Sequence, residues 1–195
     1  EVNIPNQCPS CGNTLKTEGP FMKCDAGMSC PAQLLGYFEH FVSRKAMNID
    51  GLGYNINESL INLGFVSQVA DLFKLRQHES KLKSLEGFGE KSIDNLFTSI
   101  EAATNPTLEV FINSLGIPEV GESTAAALAR HFKSFDVLRS ASFDELMGID
   151  SIGDVVANKI LNFFKSDPIG IDALLEVLEV QNFQLGDSDH LDGLK

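Results

Sequence analysis

The sequence predicts a mainly α fold, in which a small four-cysteine module precedes an all-α body of four helical hairpins. Three observations predict it. All four cysteines (Cys8, Cys11, Cys24 and Cys30) lie in the first 30 of 195 residues. A glycine-marked turn recurs, its second glycine falling at Gly53, Gly89, Gly121 and Gly153, with spacings of 36, 32 and 32 residues. Each turn leads into apolar residues at the i, i+3/i+4, i+7 rhythm of a one-sided core helix, and no strong strand alternation follows residue 33.

The cysteines are spaced C-x2-C-x12-C-x5-C. In Cys8-Pro9-Ser10-Cys11-Gly12 the two intervening residues let both sulfurs face one ion, and Gly12 permits a left-handed turn. Four thiolates close a tetrahedral zinc shell and leave no position for water, so the expected ion is structural. About 33 residues are too few for a core, and metal binding of roughly 10–16 kcal/mol would supply most of the folding energy. The five-residue gap from Cys24 to Cys30 exceeds the usual two to four, and Gly27 is expected to turn the chain there. Two disulfides or four buried thiols are the alternatives. Cysteines confined to one local module favour a reducing compartment over a secreted, disulfide-held fold.

After this module, Pro31 suits a first helical position, and Leu34, Leu35, Phe38, Phe41 and Val42 form a stripe behind it. The first hairpin turn is Ile49-Asp50-Gly51-Leu52-Gly53, followed by Ile56, Leu60 and Ile61 on a helix ending at Gly64. The second is Leu85-Glu86-Gly87-Phe88-Gly89, with Ile93, Leu96, Phe97 and Ile100 after it. Thr107 reads as the cap of the helix that ends at Gly116. The third turn, Ile117-Pro118-Glu119-Val120-Gly121, leads to Ala125, Leu128, Ala129 and Phe132. Ser142-Phe143-Asp144-Glu145 is a capping box before the fourth turn, Ile149-Asp150-Ser151-Ile152-Gly153, whose helix carries Val156, Ile160, Leu161 and Phe164. A last helix is expected from Asp167-Pro168, burying Ile171, Leu174, Leu175 and Leu178.

Such a hairpin suits a phosphate. Glycine lets the backbone turn tightly and removes the side chain that would hold an anion off. The turn then presents free N–H donors at a helix N-terminus, where the dipole favours negative charge. Contacts of this kind fix position on a duplex without reading its sequence. Gly51, Gly53, Gly87, Gly89, Gly121 and Gly153 are the candidate contacts, and Lys91, just beyond Gly89, and the pair Arg44-Lys45, before the first hairpin, can add point charges. Glycines also end helices for structural reasons alone. The first glycine is replaced by Glu119 and Ser151 in the third and fourth copies, so two copies can serve mainly to support their partners.

The net charge of −12 weighs against nucleic acid. Half of it sits on residues 167–195, which hold seven carboxylates and one lysine, and charge beyond about 8 Å is largely screened. No apolar run approaches the roughly 20 residues of a membrane span. The start lacks the basic region and apolar core of a secretory signal. With no initiator Met, the sequence reads as a piece of a longer protein. His40, His78, His131 and His190 are scattered, and neither a phosphate loop nor a nucleophile elbow is present. No catalytic residue is expected.

Cys8-Pro9-Ser10-Cys11-Gly12, Ser29-Cys30-Pro31-Ala32-Gln33 and the run from His40 to Gly53 (HFVSRKAMNIDGLG) closely resemble bacterial NAD-dependent DNA ligases. Leu115-Gly116-Ile117-Pro118-Glu119-Val120-Gly121-Glu122 extends the likeness, which covers about residues 5 to 180. The resemblance implies a C-terminal part of such an enzyme. Residues 1–33 would be its zinc finger, 34–183 its helix-hairpin-helix domain and 184–195 a linker toward a BRCT domain. An adenylation domain and an OB-fold would precede them. The family's catalytic Lys stands in a Lys-x-Asp-Gly motif. Here Asn48-Ile49-Asp50-Gly51 and His190-Leu191-Asp192-Gly193 lack the Lys, so NAD and magnesium would serve only the parent enzyme. The implied partners are nicked double-stranded DNA and the parent's other domains, for a monomer in the bacterial cytoplasm at the nucleoid. An acidic helical protein-interaction bundle, or the zinc-and-hairpin module of another repair enzyme, are the competing readings.

Overall fold

The computed structural model describes residues 5–85 and 88–184. Its first unit is a two-stranded antiparallel hairpin, β1 (Leu15–Glu18) and β2 (Phe21–Cys24), in register from Leu15 opposite Cys24 to Glu18 opposite Phe21. Both expected turns form, with Gly12 at φ 75° and Gly27 at φ 55°. Among described residues 5–30 only Cys8 and Cys30 are buried, so this unit has no apolar core. Helix α1 (Pro31–Val42) starts directly on Cys30, with Pro31 in its first turn, and buries the whole expected stripe.

The body is helical and has one continuous core. Helix α2 (Tyr54–Asn62) ends before Gly64, at φ 72°. A ten-residue 3-10 run, Val69–His78, and the short α3 (Glu79–Leu82) occupy a stretch for which the apolar pattern makes no assignment. The run is opened by a reciprocal cap in which Gln68 and Asp71 exchange side-chain and backbone bonds. Then come α4 (Glu90–Ala102), α5 (Leu108–Ser114), α6 (Glu122–Phe132), α7 (Phe135–Arg139), α8 (Phe143–Met147), α9 (Asp154–Ser166) and α10 (Ile171–Leu175). The expected core residues of α4 and α6 are all buried. Ser142 and Glu145 form the expected capping box, with the Ser142 N–H donating to Glu145 Oε2 at 2.7 Å.

Three local expectations are corrected. On α9 the buried face is Ala157, Ile160 and Phe163, while Val156, Leu161 and Phe164 are partly buried. Side-chain size favours Val156 in the sequence, but the small Ala157 is the one turned inward, at the same fourth helical position as Ala125 of α6. The last helix begins at Ile171 and not near Pro168, because Asp167 takes φ 38° and Gly170 φ 74°. The Asp167 carboxylate then accepts the Ile171 N–H at 2.9 Å, and Leu175 is only partly buried. Thr107 stands at the N-cap of α5, but its hydroxyl is buried without a partner, so it does not cap.

Glu119 and Asn57 each carry a cost that the sequence pattern conceals. Glu119 occupies the left-handed region at φ 67°, as Gly51 does at φ 89° in the equivalent place of the first turn. A side chain there costs roughly 1–2 kcal/mol. Asn57, the fourth residue of α2, is 1% exposed, and neither its Nδ2 nor its Oδ1 has a partner. Ile93, Ala125 and Ala157 hold this place in the other hairpins, all fully buried.

Glu119→Gly is therefore expected to stabilise the chain by about 1 kcal/mol in chemical denaturation, since strain relief outweighs glycine's extra unfolded-state entropy. An unchanged or lowered midpoint would contradict the strain. Asn57→Ala should likewise raise the midpoint, because it removes an orphan amide worth about 1–3 kcal/mol at the cost of a small cavity.

Candidate metal centre and nucleic-acid interface

The four cysteines converge as their spacing predicts. Their sulfurs all lie within 4.8 Å of one another, with Cys11 to Cys24 at 3.5 Å and Cys8 to Cys30 at 3.9 Å. A tetrahedral zinc with bonds of about 2.3 Å sets sulfur–sulfur edges near 3.8 Å, so the cluster has room for such an ion. No disulfide links them. Local backbone builds the shell: the Cys8 N–H donates to Asn13 O at 2.7 Å, and the Gly12 N–H returns to Cys8 O at 2.8 Å. Ser10 Oγ accepts the Ala32 N–H, and Gln33 Nε2 donates to Cys24 O at 2.7 Å, which ties the module to α1. Ser10 and Gln33 lie inside the quoted cysteine motifs, but the spacing alone gives them no role.

The electrostatics of the bare thiols favour a cation. Backbone N–H groups of Cys11 and Ser10 pull the Cys8 thiol below its usual value. The Gln33 N–H, at the start of α1, brings Cys30 down to about 7. The Asn13 N–H favours the Cys11 thiolate, yet burial and the three neighbouring sulfurs outweigh it and push Cys11 up to about 12. Four thiolates cannot coexist here unaided, and a dication removes that repulsion.

The second glycine of every turn is the N-cap of the following helix. Gly53, Gly89, Gly121 and Gly153 precede α2, α4, α6 and α9 in extended backbone, and no side chain caps any of them. A Cβ placed on any of the four would meet nothing within 4 Å. Four uncapped helix starts therefore face open space. Gly51 differs: a Cβ there would make an ordinary 3.5 Å contact with Leu96 Cβ of α4, so its φ of 89°, not the space, is what favours glycine. The Asp50 N–H reaches Ser99 Oγ of that helix at 2.8 Å. Gly87 lies outside the described residues.

Arg44, Lys45 and Lys91 are exposed and take no part in the ion pairs found among the described residues. Lys91 is the second residue of α4. Arg44 lines a concavity of about 510 Å³ with Gly51, Gly53 and Tyr54, and with the acids Glu39 and Asp50. Tyr54, 52% exposed at the first position of α2, joins the candidate residues, and an aromatic directly after the second glycine is the signal that marks it. Lys45 instead lines a concavity of about 450 Å³ with Glu122 and Ser123, the start of α6. The helix starts are unequal. Glu90, Glu122 and Asp154 stand in the first turns of α4, α6 and α9, whereas α2 has no acid there. An acid at this end stabilises its own helix but opposes a bound anion.

Residues 110–169, from α5 through α9, match the family described as a helix-hairpin-helix motif. Proteins named DNA ligase are similar over most of the chain. The one from Petrotoga mobilis is 44% identical over 172 residues, covering 86% of this chain and 25% of the relative. That from Finegoldia magna is 42% identical over 177 residues, 90% of this chain and 26% of the relative. That from Natronomonas pharaonis is 39% identical over 164 residues, 84% of this chain and 23% of the relative. The chain spans about a quarter of the length of the relatives it matches. It is mostly helical, bears a helix-hairpin-helix unit and a four-cysteine cluster able to hold a metal ion, and is homologous to a segment of the DNA ligases.

Proposed function

We propose that this chain is the DNA-holding, non-catalytic portion of an NAD-dependent DNA ligase that seals nicks in replication and repair. The observation that carries the reading is the set of four glycine-capped helix starts, uncapped by side chains and open to approach. Uncharged N–H donors and the helix dipole can hold a phosphate even in a protein of net charge −12. The grip would be on the duplex backbone from the minor-groove side, independent of sequence. Gly53 and Gly89, with Arg44, Lys45 and Lys91, are the first candidates, because α2 has no acid in its first turn and α4 sets Lys91 beside Glu90. Gly121 and Gly153 follow, each next to an acid.

Cys8, Cys11, Cys24 and Cys30 would hold one structural zinc, with no position left for substrate or water. Residues 1–33 would then act as the zinc finger and 34–183 as the hairpin domain, while most of the proposed linker, 184–195, lies outside the described residues. NAD, magnesium and the adenylated lysine would belong to other domains of the parent, so this chain alone would be inactive. Among the described residues no helix is long and apolar enough to cross a membrane. A monomer at the bacterial nucleoid suits the role.

Nicked duplex supplies the direct measurement. Affinity should fall with salt by about 0.9 log units per log unit of salt for each phosphate contacted. Gly53→Val with Gly89→Val should lower it at least about tenfold, equivalent to 1.4 kcal/mol. Both glycines have extended φ and free space, so the fold should tolerate the change. A salt-independent affinity, or one untouched by the double change, would favour a protein-interaction bundle.

Metal analysis should find one zinc per chain. Its removal by a chelator should abolish amide protection in residues 7–30 while the helices keep theirs, because that module buries only Cys8 and Cys30. A metal-free module that stays protected would rule out the structural zinc.

A further inference from the structure

Helix α5 ends at Ser114, and α1 donates to its last two carbonyls, of which Asn113 O also takes the Gly116 N–H at 3.2 Å. Tyr37 Oη donates to Ser114 O at 3.2 Å. His40 Nε2 lies 2.9 Å from Asn113 O, and because that carbonyl only accepts, the nitrogen facing it carries the proton. The bond returns in the other direction, since Asn113 Nδ2 donates to Lys45 O at 2.6 Å. Asn113 and Ser114 are buried at 7% and 0% exposure. The chain beyond them has to pass under both rings. Gly116, at φ 64°, would place a Cβ 3.1 Å from the Tyr37 ring and 3.3 Å from the His40 ring. Burial, with the Asp167 carboxylate nearby, raises the Tyr37 phenol, so it stays a neutral donor.

This joint links segments about 70 residues apart, and it sits between two helix starts. Lys45, whose carbonyl Asn113 holds, lines the concavity at the start of α6, and its neighbour Arg44 lines the one at the start of α2. We propose that Tyr37, His40 and Asn113 are positioning residues that fix the first hairpin against the third, so that both helix starts and the Arg44-Lys45 pair meet one duplex together. The inference rests on the DNA-holding reading above. None of the three side chains has to touch DNA. Their role is to remove the freedom that two separately mobile hairpins would lose on binding.

The test uses the full zinc-loaded chain and nicked duplex over a range of salt. Tyr37→Phe keeps the ring and loses one bond, so it should fold. His40→Ala loses the second bond, and His40→Gln restores an amide donor. The two loss variants should bind about threefold or more weakly, with a salt slope shallower by about 0.9 or more for each phosphate no longer engaged. His40→Gln should recover both the affinity and the slope. A role in stability alone would lower the unfolding midpoint yet leave affinity and slope unchanged well below it, and that result would overturn the proposal. Should His40→Ala not fold, unchanged affinity and slope in Tyr37→Phe would overturn it as well. If the unaltered chain fails to bind, the DNA-holding reading itself fails, which is a distinguishable outcome.

Discussion

Unpaired backbone groups at helix ends are the constraint on which most of this structure depends. A helix leaves N–H donors at its start and carbonyls at its finish, and in a buried setting each must find a partner. Different ends solve this differently here. The start of α8 is closed by Ser142 and Glu145. The start of α1 directly follows Cys30, where the nearby Gln33 N–H favours the thiolate and the Ala32 N–H goes to Ser10 Oγ. The finish of α5 borrows Tyr37 and His40 from a helix about 70 residues away. The starts of α2, α4, α6 and α9 have no side-chain cap, and each stands behind a glycine that keeps the approach clear.

Those open ends make the acidic composition less of an obstacle to DNA holding. A basic groove attracts phosphate through net charge, whereas a helix start offers oriented dipoles whose effect does not depend on the charge of distant residues. The same logic ranks the hairpins. An acid in the first turn strengthens its own helix and weakens the anion site, so the hairpin without one, at α2, loses least.

The metal module follows a different rule. With two buried residues among those described from 5 to 30, apolar burial cannot hold its strands together, and the four sulfurs are its centre. Its order reaches the helical body through α1, which begins on a candidate ligand and ends near the first hairpin turn. That helix joins the metal cluster, the first hairpin and the third, so a disturbance at the cysteines has a covalent path to the proposed interface.

The local pattern alone determined much of this. Cysteine spacing foretold one cluster, because the x2 knuckle and the Gly12 and Gly27 turns are short-range geometry. Glycine period and helical rhythm foretold the helices that start after Gly53, Gly89, Gly121 and Gly153 and the buried faces of α1, α4 and α6, because each stripe is a property of a single helix. Tertiary structure decided the rest. Whether Ala157 or Val156 faces inward depends on the neighbouring helix and not on side-chain size. Asn57 and Thr107 are orphaned only because other elements cover them, and the 3-10 run from Val69 to His78 has no apolar period to announce it. The bonds that set Tyr37, His40 and Asn113 between two hairpins were invisible for the same reason. They join residues far apart in the chain, and a one-dimensional pattern records what each residue prefers, not which distant group will need it.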